Sequence, residues 1–271
     1  SAGGTVELDL GGRSGSHIRT SEDGQNWSKW RRLKGTPSAS IGTDEGSYTV
    51  YAQLRNGPGV RSPIMRDSIV VDATAPELEA PSVWLRTGPL GEGAASVPVS
   101  VRWTARDATA GLADGIVEVS CGPGLEQATE APGHAEPGER ADWTGDAWLY
   151  ADAACDVSAV AVDGAGNRNS ATTSGSYAQV VPLDEAVGVF AHELGVIARR
   201  GPDAGRATLL VDGEAVALID LYADEPSGPE VVHVVALAEG PHTLAVEAID
   251  SGDPATPGVE LMVEGFATLS R

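Results

Sequence analysis

Apolar and polar residues alternate with period two along most of this sequence, and that habit excludes more folds than any other feature of it. The runs "TVELDL" (5–10), "SYTVYAQLR" (47–55), "SVPVSVRWTA" (96–105), "GIVEVS" (115–120) and "ATLLVD" (207–212) each place apolar side chains on one face of an extended chain. Turn signals such as "DG", "NG", "GPG" and "SGDP" separate these runs at short intervals. With 34 Gly and 17 Pro in 271 residues, long helices are disfavoured throughout. One stretch looks helical, "LDEAVGVFAHELGV" (183–196), but it carries Gly188 among β-branched neighbours and is expected to be strand from Val187 onward. Many short strands joined by regular turns specify an all-β chain of tandem β-sandwiches.

The length suits two or three domains. In "DSIVVDATAPELEAPS" (67–82) a strand runs into a proline-punctuated linker: Pro76 cannot continue a central strand, and Ala75 before it is pushed to an extended conformation. A second break falls near "YAQVVPLDE" (177–185). The expected domains are therefore 1–76, 77–181 and 182–271. The linker 72–76 is expected to be extended, with few contacts of its own. The polar, Pro/Gly-rich segment 122–147 is expected to wander over the surface of the middle domain.

Net charge is −21 and unevenly spread. Residues 1–76 hold nine Lys/Arg against eight Asp/Glu, residues 77–181 five against fifteen, and residues 182–271 four against sixteen. After residue 76 no basic stripe is present to neutralise phosphates, which excludes nucleic acid as a partner. No stretch approaches the ~20 apolar residues that a membrane helix needs, so no membrane span is expected. The sequence opens on "SAGG" without a signal peptide, which reads as a mature or excised piece. The two cysteines, Cys121 and Cys155, adjoin the strand-like runs "GIVEVSC" and "CDVSAVAV" and are too far apart for a CxxC motif. A disulfide between two strands of one domain is expected, in an oxidising, extracellular setting; two buried free thiols are the alternative.

In order, "RTSEDGQNWSKWRRL" (19–33), "DEGSYTVYAQLRNGPGVRS" (44–62) and "DSIVVDATAP" (67–76) resemble a bacterial Ig-like repeat, with its strand, DG turn and Trp-Ser-x-Trp block, its "TVYxQ" strand and its "D-x-T-x-P" exit. Val60 departs from that pattern, following Gly59 where the family has Asn. The middle segment is similar in part, through "VSVRWTARDATAGLADGIVEVS" (99–120) and "VSAVAVDGAGNRNSA" (157–171). In the last segment, "GVIARRGPDAGRATLLVDGEAVALIDLYA" (195–223), "LAEGPHTLAVEA" (237–248) and "GVELMVEGFATL" (258–269) resemble the C-terminal jelly-roll sandwich, of the galactose-binding kind, that follows Ig-like repeats in secreted actinobacterial proteins. Little room is left before "AVGVFA", so that sandwich is expected to be truncated or to borrow a strand. The resemblance implies a secreted or cell-surface protein that binds carbohydrate or cell wall through its third domain.

Motifs for chemistry are tempting and incomplete. "HELGV" (192–196) has Val196 where a zinc-protease helix needs its second His. No G-x-S-x-G elbow is present, and with acids this abundant no carboxylate pair stands out for glycoside cleavage. The phrase Asp163-Gly164-Ala165-Gly166-Asn167 lacks the Lys and helix of a phosphate loop, and Asp163, Asn167 and Asn169 fall short of the six or so oxygens of a calcium loop. It is expected to be a tight turn. No catalytic residue, metal or cofactor is therefore assigned. His242 is expected to be structural, and Trp27 and Trp30 to pack rather than to offer sugar platforms. The candidate binding residues are Arg199, Arg200 and Arg206, with Tyr222 close by as a stacking face, because the "RRGPDAGR" loop stands in an otherwise acidic segment and Arg forks suit carboxylated or hydroxyl-rich glycans. The competing account pairs these arginines with acids such as Asp203 and Asp220. The expected function is a non-catalytic extracellular binding and spacer segment, with a stalk that contacts other surface proteins, or the targeting arm of a larger secreted hydrolase, as alternatives.

Overall fold

Val97, Val99 and Val101 are wholly buried, and Trp103 and Ala105 nearly so, because every second side chain of the strand Ser96–Arg106 faces one core. This pattern recurs along the computed structural model, which describes residues 4–10, 15–57, 59–91, 96–183, 186–249 and 262–270. The "SGDP" turn at 251–254 and residues 258–261 of the last family phrase lie outside them. Among the described residues there is no helix, and the protein is all-β, built of antiparallel sheets as β-sandwiches require.

The first segment supplies β1 (Thr5–Glu7), β2 (His17–Ser21), β3 (Arg31–Arg32), β4 (Ser38–Ser40), β5 (Gly46–Arg55) and β6 (Met65–Val71). The middle segment supplies β7 (Glu77–Leu78), β8 (Ser82–Leu85), β9 (Gly88–Pro89), β10 (Ser96–Arg106), β11 (Leu112–Ser120), β12 (Glu126–Glu130), β13 (Arg140–Tyr150), β14 (Ala154–Asp163) and β15 (Arg168–Pro182). The last supplies β16 (Val187–Ala198), β17 (Arg206–Val211), β18 (Glu214–Asp220), β19 (Glu230–Ile249) and β20 (Val263–Ser270). Strand, not helix, therefore runs from Val187, as the β-branched neighbours of Gly188 require.

In the first segment the sheet β3-β2-β5-β6 and the pair β1-β4 close over two small cores, one around Ile18, Ala52 and Leu54 and one around Ala39, Ile41 and Val50. In the middle segment β10, flanked by β13 on one side and by β7 and β8 on the other, packs against β12-β11-β14-β15. The 122–147 segment does not wander over the surface. β12 pairs with β11, and β13 pairs with β10 along its length, from Ser96 opposite Tyr150 to Arg106 opposite Arg140. Its inward row is Trp143, Gly145, Ala147 and Leu149; Gly and Ala carry so little hydrophobic signal that the alternation was hidden.

The second sheet does not stop at β15. Residues Tyr177 to Pro182 pair with β20, and the order continues β20-β16-β19-β17-β18, while β9 joins the same sheet through β19. Leu194 to Ala198 are buried on both faces of this sheet. Leu194 and Val196 enter the last segment's core, whereas Ile197, Val231, Ala267 and Leu269 join the middle segment's core. Residues buried on both sides read as a continuous apolar run, and "LGVIA" is one. Cys121 and Cys155 form a disulfide that ties the end of β11 to the start of β14.

Candidate metal centre

Three strands end in aspartate at one place. Asp72 follows β6, Asp107 follows β10 and Asp163 closes β14. Each folds a carboxylate oxygen back over its own turn, the habit that makes Asp a turn residue. Asp72 Oδ1 accepts the Thr74 amide at 3.0 Å. Asp107 Oδ1 accepts the amides of Thr109, Ala110 and Gly111 at 3.0, 2.8 and 2.9 Å. Asp163 Oδ1 accepts those of Ala165 and Asn167 at 2.8 and 2.9 Å. The Asp163–Asn167 phrase is thus the expected turn, with Gly166 at φ +91°, where a side chain is strained. It is also one wall of a site: one carboxylate oxygen from each of the three aspartates lies within 4.8 Å of the others.

Asp107 and Asp163 are 4% and 2% exposed, and Asp72 is half-buried. Among the described residues no Lys, Arg or His forms an ion pair with any of the three. Burial pushes the Asp72 carboxyl above its ordinary range, and the charges of Asp107, Asp163 and Glu45 push the same way against the Thr74 hydrogen bond. An acid raised in this way costs stability when it ionises, so the arrangement favours either a proton or a cation. The donors are all oxygen, which suits a hard cation. Oxygens held at about 2.4 Å from one calcium ion stand at most about 4.8 Å apart, so the observed spacing is within reach of one ion.

The linker expected to have few contacts is clamped. Asn167 Nδ2 donates to the carbonyls of Asp72 and Thr74 at 3.3 and 3.4 Å, and Asn169 Nδ2 to that of Pro76 at 2.9 Å. The Ala110 amide donates to Asp72 Oδ2 at 3.1 Å. From the first segment, Glu45 Oε1 accepts the Thr74 hydroxyl at 2.6 Å and the Ala73 amide at 3.1 Å, and the hydroxyl chiefly holds the Glu45 carboxyl below its usual range. A count of oxygens within residues 163–169 missed Asp72 and Asp107, which are distant in sequence. One signal was available: "DATA" occurs twice, at 72–75 and 107–110, and in both copies the aspartate Oδ1 accepts the amide of the threonine two residues on.

The arginines proposed from the sequence lie elsewhere, and each meets a carboxylate. Arg199 pairs with Glu264, Arg200 with Glu230 at 3.3 Å and Arg206 with Asp220 at 3.2 Å. Asp220 is one of the acids anticipated; Glu230 and Glu264 were not. Tyr222 is 56% exposed, with its amide on Asp220 Oδ1 at 3.1 Å and its hydroxyl on Asp224 at 3.0 Å. Arg200, Arg206 and Tyr222 therefore gather around Asp220, while Arg199 turns to β20. His192 and Glu193 are successive residues of β16 rather than of a helix, and the Glu193 carboxylate accepts the Leu85 amide.

His242 bridges Asp212 Oδ2, at 2.8 Å from Nδ1, and the Ala238 carbonyl, at 2.7 Å from Nε2. Both neighbours accept, so the doubly protonated ring satisfies both. The Ala238 carbonyl first, then the Asp212 carboxylate, raise the His242 pKa above 6.5. The Thr243 amide and His242 hold Asp212 below 3.8. Stability from His242 is full below pH 6.5 and is lost as pH rises through its raised pKa; that from Asp212 is present above pH 3.8 and is lost as pH falls through its lowered one. NMR titration should place His242 above 6.5 and Asp212→Asn should lower it. A wild-type value at or below 6.5 contradicts the bridge.

No family model matches the chain, and no curated protein matches it.

Proposed function

We propose that this chain is a non-catalytic extracellular or cell-surface spacer, and that a calcium ion at Asp72, Asp107 and Asp163 sets the joint between its first and middle segments. The observation that carries this reading is the convergence of three carboxylates, one from the linker and two from loops of the next segment, with no basic side chain paired to them among the described residues. The ion would neutralise the cluster and hold the linker against the Asp107 and Asp163 turns. Extracellular calcium modules bind at about 10⁻⁴–10⁻³ M, a range that suits a structural ion outside the cell. The disulfide supports an oxidising compartment.

Calcium in excess should stabilise the protein, by about 2.7 kcal/mol at a hundredfold excess over Kd. Calorimetry with calcium and with chelator reads this directly. The shift should vanish in Asp107→Asn and should fade in acid, as the carboxylates take protons. Equal melting temperatures with and without calcium at neutral pH would sink the reading.

A second reading, carbohydrate or cell-wall binding through the last segment, is favoured by one observation: Tyr222 is 56% exposed, with its amide on Asp220, the acid that also holds Arg206. Its test is binding to purified cell wall, which the folded double variant Arg200→Ala/Tyr222→Ala should lose.

A further inference from the structure

Trp27 and Trp30 are half-buried and belong to neither core of the first segment; arginines stack on them instead. Arg19 alternates with the core residue Ile18 on β2 and so projects from the opposite face of the sheet, where the two indoles meet it. The Arg19 guanidinium carbon lies 4.3 Å from the centre of the Trp27 ring and 4.9 Å from that of Trp30. Arg55 stands 4.7 Å and Arg61 5.9 Å from the Trp30 ring. Gln53, 8% exposed, fixes the stack: its Oε1 accepts Arg19 Nε and Nη2 at 3.1 and 2.6 Å, and its amide donates to the Ser62 carbonyl at 2.9 Å.

Arg86, Arg140, Arg168, Arg199, Arg200 and Arg206 all meet carboxylates. Arg19, Arg55 and Arg61 meet none among the described residues, in a chain of net charge −21. Arg31, Arg32, Arg66, Arg102 and Arg106 also meet no carboxylate among the described residues, but Arg19, Arg55 and Arg61 gather at one ring, so positive charge is concentrated there with no acid to offset it. Gln53 takes the in-plane edge of Arg19, whereas stacking occupies the faces of Arg55 and Arg61 and leaves their in-plane N–H edges for a ligand. The side chains of Arg55 and Arg61 donate no hydrogen bond among the described residues. On the loop that carries Arg61, Val60 and Ile64 are 67% and 53% exposed.

We propose that this face of the first segment binds a carboxylate-bearing polysaccharide, with the Arg55 and Arg61 forks on its carboxylates and Val60 and Ile64 against the apolar faces of its sugar rings. A planar carboxylate matches a planar guanidinium through two parallel hydrogen bonds. A neutral glycan would have no partner for the charge of the guanidiniums gathered at Trp30. The segment that carries the patch is close to neutral, with nine Lys/Arg against eight Asp/Glu, so a polyanion can approach it where it could not approach the acidic later segments. The proposal uses no residue of the calcium joint and stands or falls apart from it.

The probe is polygalacturonate, titrated calorimetrically at low and at high salt, with uncharged dextran and dextran sulfate alongside. Wild type should bind polygalacturonate, more weakly as salt rises, and should ignore dextran. Arg55→Ala/Arg61→Ala should weaken binding about tenfold or more at an unchanged melting temperature. Arg55→Lys/Arg61→Lys, which keeps the charge and loses the fork, should recover only part of it. If the alanine variant melts lower, Val60→Asp on the exposed rim serves instead and should also weaken binding. Absence of wild-type binding, equal binding by these variants, full recovery by lysine, or binding to dextran sulfate alone overturns the proposal. So does light scattering that shows a wild-type dimer abolished by the alanine variant, which would make this face a self-contact.

Discussion

Trp143→Ala is expected to lower the unfolding free energy of the middle segment by about 3–5 kcal/mol, the range for emptying a buried indole site. Trp143 is 8% exposed and sits directly across from Trp103 in the β10–β13 ladder, with the rings edge to face at 5.7 Å. Two glycines make the room for it: a Cβ on Gly115 would stand 2.3 Å from the ring and one on Gly133 2.5 Å from it. On the sides formed by Gly115 and Gly133 no side chain is present to move in after its removal, so the cavity is expected to stay largely open. The same geometry fixes a second expectation. Gly115→Ala alone should cost about 1–3 kcal/mol by overpacking. With Trp143→Ala already in place, the added methyl enters empty space, and the two effects should fall short of their sum. Urea titrations of the two single variants and the double variant supply all the terms. A Trp143→Ala loss below about 1 kcal/mol, or strict additivity with Gly115→Ala, would mean that the indole is not the plug of this core.

What the sequence made legible follows from how its signals are carried. β10 and β11 were readable because Val occupies alternate positions, and the burial of Val97, Val99, Val101, Val117 and Val119 follows that pattern. β13 was not, since half of its inward row is Gly145 and Ala147, and the worth of Gly145 lies in the room it leaves beside Val117, Ala131 and Trp103. The turn at Asp163–Asn167 could be read locally, because an Asx turn is made by residues two to four apart. The carboxylate cluster could not be read that way. Its members are brought together by the linker docking on the loops that follow β10 and β14, and no local window holds all three. The arginine stack failed for a related reason. Trp-Ser-x-Trp specifies two indoles, but which cations meet them depends on the register of β2 with β5, which sets Arg19 beside Gln53.

Reduction of the disulfide is expected to cost the middle segment about 3–4 kcal/mol, because the bridge closes a loop spanning 34 positions and the unfolded chain regains that freedom when it opens. Cys155 is fully buried and Cys121 8% exposed, next to the paired residues Ser120 and Asp156 of β11 and β14. In the folded state those strands already hold the two cysteines together, so the effect falls on the unfolded chain rather than on native contacts. The closed loop contains β12 and β13, and with them Trp143, so its opening releases the strand that the sheet recruits from farthest away in sequence. Wild type should be two hydrogen atoms lighter by mass than its reduced form, and native protein should resist thiol labelling. Cys121→Ala/Cys155→Ala should match reduced wild type in urea midpoint within the small cost of the lost sulfurs. Quantitative labelling without reductant, or a reduced form as stable as the oxidised one, contradicts this. The bridge and the aspartate cluster sit at opposite ends of β14, Cys155 at one and Asp163 at the other. Reduction should therefore lower the melting temperature and leave the calcium-induced increment standing for as long as β14 stays paired with β11 and β15. A calcium response lost on mild reduction, in protein that is still folded, would show that the two ends are coupled along the strand.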